Sequence, residues 1–292
     1  MTEDWLSQLS RASSTVLSRI GAVVGRAPLE IINAAVSKKA FDLRPNLAYG
    51  LLERQKLDLY LAPNATGTVL FVHGGYWDSG SKDEYIFLAE SLCVAGFNAV
   101  LINYRLAPEG VFPRMVADLA LAVQWLLREL PMYGVSSKNL ALLGHSAGAH
   151  MIALLCVTPE YLEKVGLTRQ VVDVAVCMAG PYDFLEWLET DPRGQRAMGE
   201  REHWAQTQPA LIADGKNPPM LLLHGARDTL VSPANAPRLA HAIRQQGGTV
   251  DWTVYENVDH FRLAGAFSKL TRWLEPRVLD ETVTFIKAHF KA

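Results

Sequence analysis

The stretch Gly144-His145-Ser146-Ala147-Gly148 constrains this chain more than any other. An apolar run, residues 139–143 (Asn-Leu-Ala-Leu-Leu), precedes it, and residues 149–156 (Ala-His-Met-Ile-Ala-Leu-Leu-Cys) follow. The first run has the length and apolarity of a strand buried on both faces, and the second has helical spacing with no breaker. A serine in the sharp turn between them is held in a strained backbone conformation that pushes its hydroxyl clear of the sheet edge. Glycines two positions either side are required, because a Cβ there would collide with the neighbouring strand and helix. The pentapeptide therefore reads as a nucleophile elbow with Ser146 at its apex.

At 292 residues and 49% hydrophobic content the chain can build one large α/β core. A net charge of −2 without a basic stripe excludes a nucleic-acid binder. Cys93, Cys156 and Cys177 are an odd number of cysteines, each in an apolar segment, which fits buried free thiols in a reducing compartment. No Cys/His cluster has metal-ligand spacing, so no metal or other cofactor is expected. Glu3, Asp4, Arg11, Arg19 and Arg26 interrupt the N-terminal apolar stretches, predicting neither signal peptide nor membrane span. The expectation is a cytoplasmic protein acting on a small molecule, without stable membrane association. The oligomeric state stays open, a homodimer included.

Residues 1–45 read mainly as helix. Trp5, Leu9, Ala12, Val16, Ile20 and Val23 form one apolar stripe, either packed on the body or serving as a cap. The β-rich part is expected to begin at Leu57–Leu61, alternating as a half-exposed strand, followed by Thr68–Val72. Strand and helix patterns then alternate: helix over 84–95, strand over 98–103, helix over 113–130, the elbow, strand over 171–178. Strands over 219–223 and 249–255 and helices over 233–246 and 280–289 complete the series. This alternation means a mostly parallel central sheet with helices on both faces, in a single domain spanning 1–292. Residues 183–217, rich in Trp, Arg, Gln and Glu, break it and are expected to form an excursion over the end of the sheet that carries the site.

A nucleophilic hydroxyl needs a base within reach and an acid that fixes the base's tautomer. In such sheets these groups occupy loops at the carboxyl ends of strands. Asp228, just past the strand ending at Leu223, is the candidate acid, with Asp183 and Asp259 as rivals. His260, past the last strand, is the candidate base, while His73, His145, His150 and His224 read as structural. The order is then Ser, Asp, His. The backbone amide of Ala147 and amides from His73-Gly74-Gly75-Tyr76-Trp77 are placed to face a developing oxyanion.

Residues of about 50–292 resemble the α/β-hydrolase superfamily. His73-Gly-Gly-Tyr-Trp77 with Ser79-Gly-Ser-Lys-Asp-Glu84, and Gly144-His-Ser-Ala-Gly-Ala-His150, are similar to the kynurenine formamidases. Those serine hydrolases cleave N-formylkynurenine to kynurenine and formate. The resemblance implies an α/β-hydrolase fold, a triad of Ser146, Asp228 and His260, and oxyanion donors at Gly75, Tyr76 and Ala147, Gly74 being less well matched. Tyr76 and Trp77, which follow the glycines that would donate to the oxyanion, are the candidate substrate contacts on the acyl side. Asn103-Tyr-Arg-Leu-Ala-Pro-Glu109 resembles the hormone-sensitive-lipase-like esterases, whose usual third glycine is Tyr76 here. Two enzyme readings follow, an arylformamidase and a carboxylesterase for short acyl or aryl esters. A non-catalytic ligand receptor on the same fold would lack a triad member, and none is missing.

Overall fold

The computed structural model describes residues 29–291. Eight strands form one sheet: β1 (Asp42–Ala48), β2 (Lys56–Leu61), β3 (Thr68–Val72), β4 (Asn98–Ile102), β5 (Leu140–His145), β6 (Val174–Met178), β7 (Met220–Gly225) and β8 (Val250–Tyr255). Their spatial order is β1-β2-β4-β3-β5-β6-β7-β8. The β1–β2 and β2–β4 pairs are antiparallel, and every pair from β4 to β8 is parallel.

Parallel pairing requires crossovers, and the helices that make them cover both faces, which is why the central strands carry apolar side chains on each side. On β3, Leu70 and Val72 point into one core while Val69 and Phe71 point into the other. The same division runs through β5, with Leu140 and Leu142 against Ala141 and Leu143. Helices Arg114–Glu129, Ala147–Val157 and Asn235–Gln245 close the first core; Ile86–Val94 and Arg277–His289 close the second. Each fully buried aliphatic side chain in these layers contributes about 1.5–3 kcal/mol by leaving water. The helix Ala147–Val157 is buried along its whole length, being wedged between the sheet and Arg114–Glu129. It therefore has no polar face, and its sequence reads as a continuous apolar run.

The N-terminal reading needs correction. Residues 29–34 are helical and Lys38–Ala40 form a 3-10 turn, but the chain then extends into β1, ahead of the expected start of the sheet. β1 is an edge strand with almost no buried side chain and a bulge between Arg44 and Leu47, so backbone pairing with β2 holds it and no apolar alternation announces it. The apolar stripe at residues 5–23 lies outside the described residues. β2 is also deeper than its alternation implies: Asp58 is buried with Leu57, Leu59 and Tyr60. Its carboxylate meets the buried Lys82 ammonium at 2.8 Å and accepts the Asn46 amide at 2.7 Å. A charge that looked solvated is thus a neutralised core pair.

The segment 103–109 has a similar internal role. Arg105 grips the fully buried Asp118 through its side chain, at 2.6 Å from Nη2, and through its own amide at 2.9 Å. Gln55 Nε2 donates to the same carboxylate at 2.7 Å. This ties the loop after β4 to the helix Arg114–Glu129. Asp118→Ala leaves a guanidinium and an amide without their acceptor, and since Arg105 keeps some contact with water the loss is expected at the lower end of the usual range, about 3 kcal/mol. Urea unfolding of the variant checks this; a loss below about 1 kcal/mol would contradict it.

Candidate active site

Ser146 sits between β5 and the helix Ala147–Val157 at φ 55° and ψ −119°, a conformation that side-chain-bearing residues rarely adopt. Its amide donates to the Met178 carbonyl at 2.8 Å. The flanking glycines are sterically required. A Cβ on Gly148 would lie 2.1 Å from the Val72 carbonyl oxygen, and one on Gly144 would lie 2.7 Å from the Ala149 nitrogen. The helix can therefore start against β3 only without side chains there, and Ser146 absorbs the turn. Residues 140–145 and 147–150 are buried, and only Ser146 between them reaches solvent.

Asp228 and His260 are brought together from loops after β7 and β8. His260 Nδ1–H donates to Asp228 Oδ2 at 2.7 Å, both groups being buried. The other carboxylate oxygen, Oδ1, accepts the amides of Leu230 and Val231, each at 2.9 Å. Burial alone would raise the Asp228 pKa, but hydrogen bonds from His224 and His260 outweigh it and hold the carboxyl well below the usual range. Among the described residues, neither rival acid has a hydrogen bond to His260. Asp259 caps the short helix His260–Gly265, accepting the Phe261 and Arg262 amides, and Asp183 accepts from Arg238 at 3.3 Å.

The loop after β3 lies against the elbow. A Cβ on Gly74 would meet the Ser146 Cβ at 3.0 Å, and Gly75, Tyr76 and Trp77 all have positive φ, at 121°, 59° and 62°. Among the described residues no backbone acceptor meets the amides of Gly75, Tyr76 or Ala147. The Gly74 backbone is turned to the buried Tyr85 hydroxyl instead. Tyr76, Trp77, Ser146 and Ala147 line a cavity of about 450 Å³ with Phe184, Trp187 and residues of the loop after β7. Both rings are fixed. The Trp77 indole stacks on Phe184 and donates to His150 Nδ1 at 3.1 Å. Tyr76 packs edge-on to Trp187, carries the Arg193 guanidinium over its face and donates to Asp191 Oδ2 at 3.1 Å. Phe184, Trp187, Asp191 and Arg193 belong to residues 183–217, so this excursion supplies part of the cavity wall. Among the described residues no group of three His, Cys, Asp or Glu is placed to hold a metal ion.

The histidines read as structural each make contacts around the site. His145 Nε2–H donates to the His260 carbonyl at 3.0 Å, with the rings 4.8 Å apart. His150 Nε2–H donates to the Thr207 carbonyl at 2.7 Å and so joins Trp77 to the excursion. His73 Nδ1–H donates to the Gly74 carbonyl at 2.6 Å and its ring stacks on Tyr104. Sequence reasoning missed His224: its Nε2–H lies 3.2 Å from Asp228 Oδ2 and 3.1 Å from the Val231 carbonyl, making it a second donor on the candidate acid. Its spacing of four from Asp228 across Gly225 was the available signal.

The family model BD-FAE matches residues 57–243, which include Ser146 and Asp228. The chain belongs to the BD-FAE family. Among curated relatives, kynurenine formamidase of Salmo salar is 36% identical over 149 residues, covering 50% of this chain and 48% of the relative. Esterase LipC of Mycobacterium tuberculosis is 26% identical over 231 residues, covering 72% and 57%. The chain spans about half the length of the first curated relatives it matches. Esterase B from Lactobacillus Rhamnosis superposes with a TM-score of 0.75 at 17% identity, over 96% of this chain and 95% of that one. The likeness establishes an α/β-hydrolase fold. No helix among the described residues is long and apolar enough to cross a membrane.

In this BD-FAE protein His73, His145 and His150 are fully buried, and burial lowers their pKa values to about 4, 3 and 4. Each stays neutral in the folded state while its unfolded counterpart protonates below about 6.5, so acid favours unfolding. The stability they retain is complete above that value and falls by on the order of 1.4 kcal/mol per pH unit for each histidine as pH drops toward the folded values. Unfolding free energies from urea titrations at pH 7.5 and 5.5 should therefore differ by several kcal/mol in favour of the higher pH. A flat profile would show these rings charged or hydrated when folded.

Proposed function

We propose that this chain is a serine hydrolase that cleaves small acyl groups from aromatic leaving groups, an aryl formamide above all, through an acyl-enzyme. The observation that carries this reading is the 2.7 Å bond from His260 Nδ1–H to a depressed Asp228 carboxylate, in a site where Ser146 occupies a strained turn. In the reaction, His260 Nε2 takes the Ser146 proton as Oγ attacks the carbonyl carbon. Asp228 keeps the imidazole in the tautomer that can accept that proton and stabilises the cation that results. The amides of Gly75, Tyr76 and Ala147 receive the oxyanion, each worth roughly 3–4 kcal/mol in the transition state. His260 then returns the proton to the departing aryl amine, leaving Ser146 acylated. Water attacks that ester with the same base, and formate leaves.

The acyl preference follows from the loop after β3. Because Tyr76 and Trp77 are both anchored, neither ring can swing aside, and an acyl chain that presses on them meets an overpacking cost of about 1–3 kcal/mol. A formyl group meets none. The aromatic walls then suit a flat leaving group. Likeness to kynurenine formamidase supports N-formylkynurenine as the substrate, yielding kynurenine and formate. A carboxylesterase reading has its own support in the alignment with esterase LipC over 72% of the chain.

Kinetics on one aryl leaving group decide between them. Rates are expected to fall from formyl through acetyl to butyryl, together with measurable cleavage of N-formylkynurenine. Efficient hydrolysis of octanoyl esters with no action on any formamide would contradict the formamidase reading and leave the esterase.

A further inference from the structure

The cavity that holds Ser146 carries charge that the proposed acyl chemistry does not use. Asp183, Glu186 and Arg238 line it alongside the aromatic walls of Phe184 and Trp187. Arg238 stands on the helix Asn235–Gln245, and Glu186 on the short helix Leu185–Leu188. The Arg238 side chain is 57% exposed and Glu186 is also exposed, so both occupy the solvent side of the cavity. Arg238 Nη1 donates to Asp183 Oδ2 at 3.3 Å. Among the described residues, Nε and Nη2 of Arg238 and the Glu186 carboxylate have no hydrogen-bond or ion-pair partner.

We propose that Arg238 and Glu186 form a subsite for the charged end of an aromatic leaving group that bears both a carboxylate and an ammonium, as an aromatic amino acid does. The inference rests on the hydrolase reading only for the identity of the bond cleaved. An exposed single-contact ion pair such as Arg238–Asp183 adds little to stability, so holding the fold does not account for the arrangement. A guanidinium with two free nitrogens on one edge can take a carboxylate side-on, while Asp183 keeps the third nitrogen and fixes the plane. Glu186, on a second element of the same cavity, offers the opposite charge to an ammonium. The ring between these charges and Ser146 lies against Phe184 and Trp187. A ligand with only one of the two charges leaves the other partner unmatched, and a neutral ring engages neither, so the subsite selects zwitterions.

Equilibrium titration of the intact protein with L-kynurenine and with 2-aminoacetophenone, the same aryl ketone without the amino-acid end, tests this without any turnover. The wild type should bind L-kynurenine tighter by about tenfold or more, the size expected of charge-assisted contacts. In Arg238→Gln and in Glu186→Gln that preference should shrink to less than about threefold, with Arg238→Lys in between because it keeps the charge but not the fork. Equal affinities in the wild type, or a preference that survives in both neutral variants, would overturn the subsite. Formamide turnover is scored separately. A kynurenine preference without cleavage of N-formylkynurenine would refute the proposed reaction and leave the subsite standing. Cleavage without the preference would do the reverse.

Discussion

The helix Ala147–Val157 begins so close to β3 that no side chain fits between them, and the rest of the site follows from that contact. A Cβ on Gly148 would lie only 2.1 Å from the Val72 carbonyl oxygen, so the chain has to turn within a single residue, and that residue is Ser146. The strain of such a turn, about 1–3 kcal/mol, persists only because the buried helix and strand over-determine it. The same contact sets the spacing between the serine and the loop after β3, so its position is inherited from the most buried part of the fold.

Around it, polar groups are arranged in a shell of buried histidines. His145 holds the backbone of His260, His224 shares the Asp228 carboxylate with it, and His150 ties Trp77 to the 183–217 excursion. For His145 and His150 a neutral imidazole suits this work because it is donor and acceptor at once and can sit in an apolar layer without a counter-charge. Asp228 thus has two imidazole donors and two amides, and with its oxygens so occupied its orientation toward His260 is fixed. The outer ring of Asp78, Arg193, Asp191 and Tyr76 performs a similar service in a wetter setting: Arg193 pairs with Asp78 at 2.5 Å and covers the Tyr76 ring.

Much of this was legible in the sequence because the central strands are apolar on both faces and the elbow has a fixed glycine pattern. The strands after Thr68 and the loop at 73–77 carry signals that depend on local sterics, and Asp228 and His260 stand out by their places after the last two strands. β1 carried none, since an edge strand with exposed side chains is held by backbone pairing that any residue can provide. Asp58 misled for a related reason: a carboxylate in an alternating strand looks solvated until Lys82, distant in sequence, is folded against it. The partners of Tyr76, more than a hundred residues away, were beyond any local pattern. His224 was within reach, but a strand-end histidine has too many structural uses for spacing alone to attach it to Asp228.

The account stands on Ser146 being a nucleophile activated through His260. Reaction with an aryl dialkyl phosphate, followed by intact-mass measurement and peptide mapping, reads this directly. One phosphoryl adduct per chain, on Ser146, is expected, forming slower by several powers of ten in Asp228→Asn, in line with the loss of the correct imidazole tautomer. An adduct on another residue, or labelling of Ser146 at the same rate in Asp228→Asn, would contradict it.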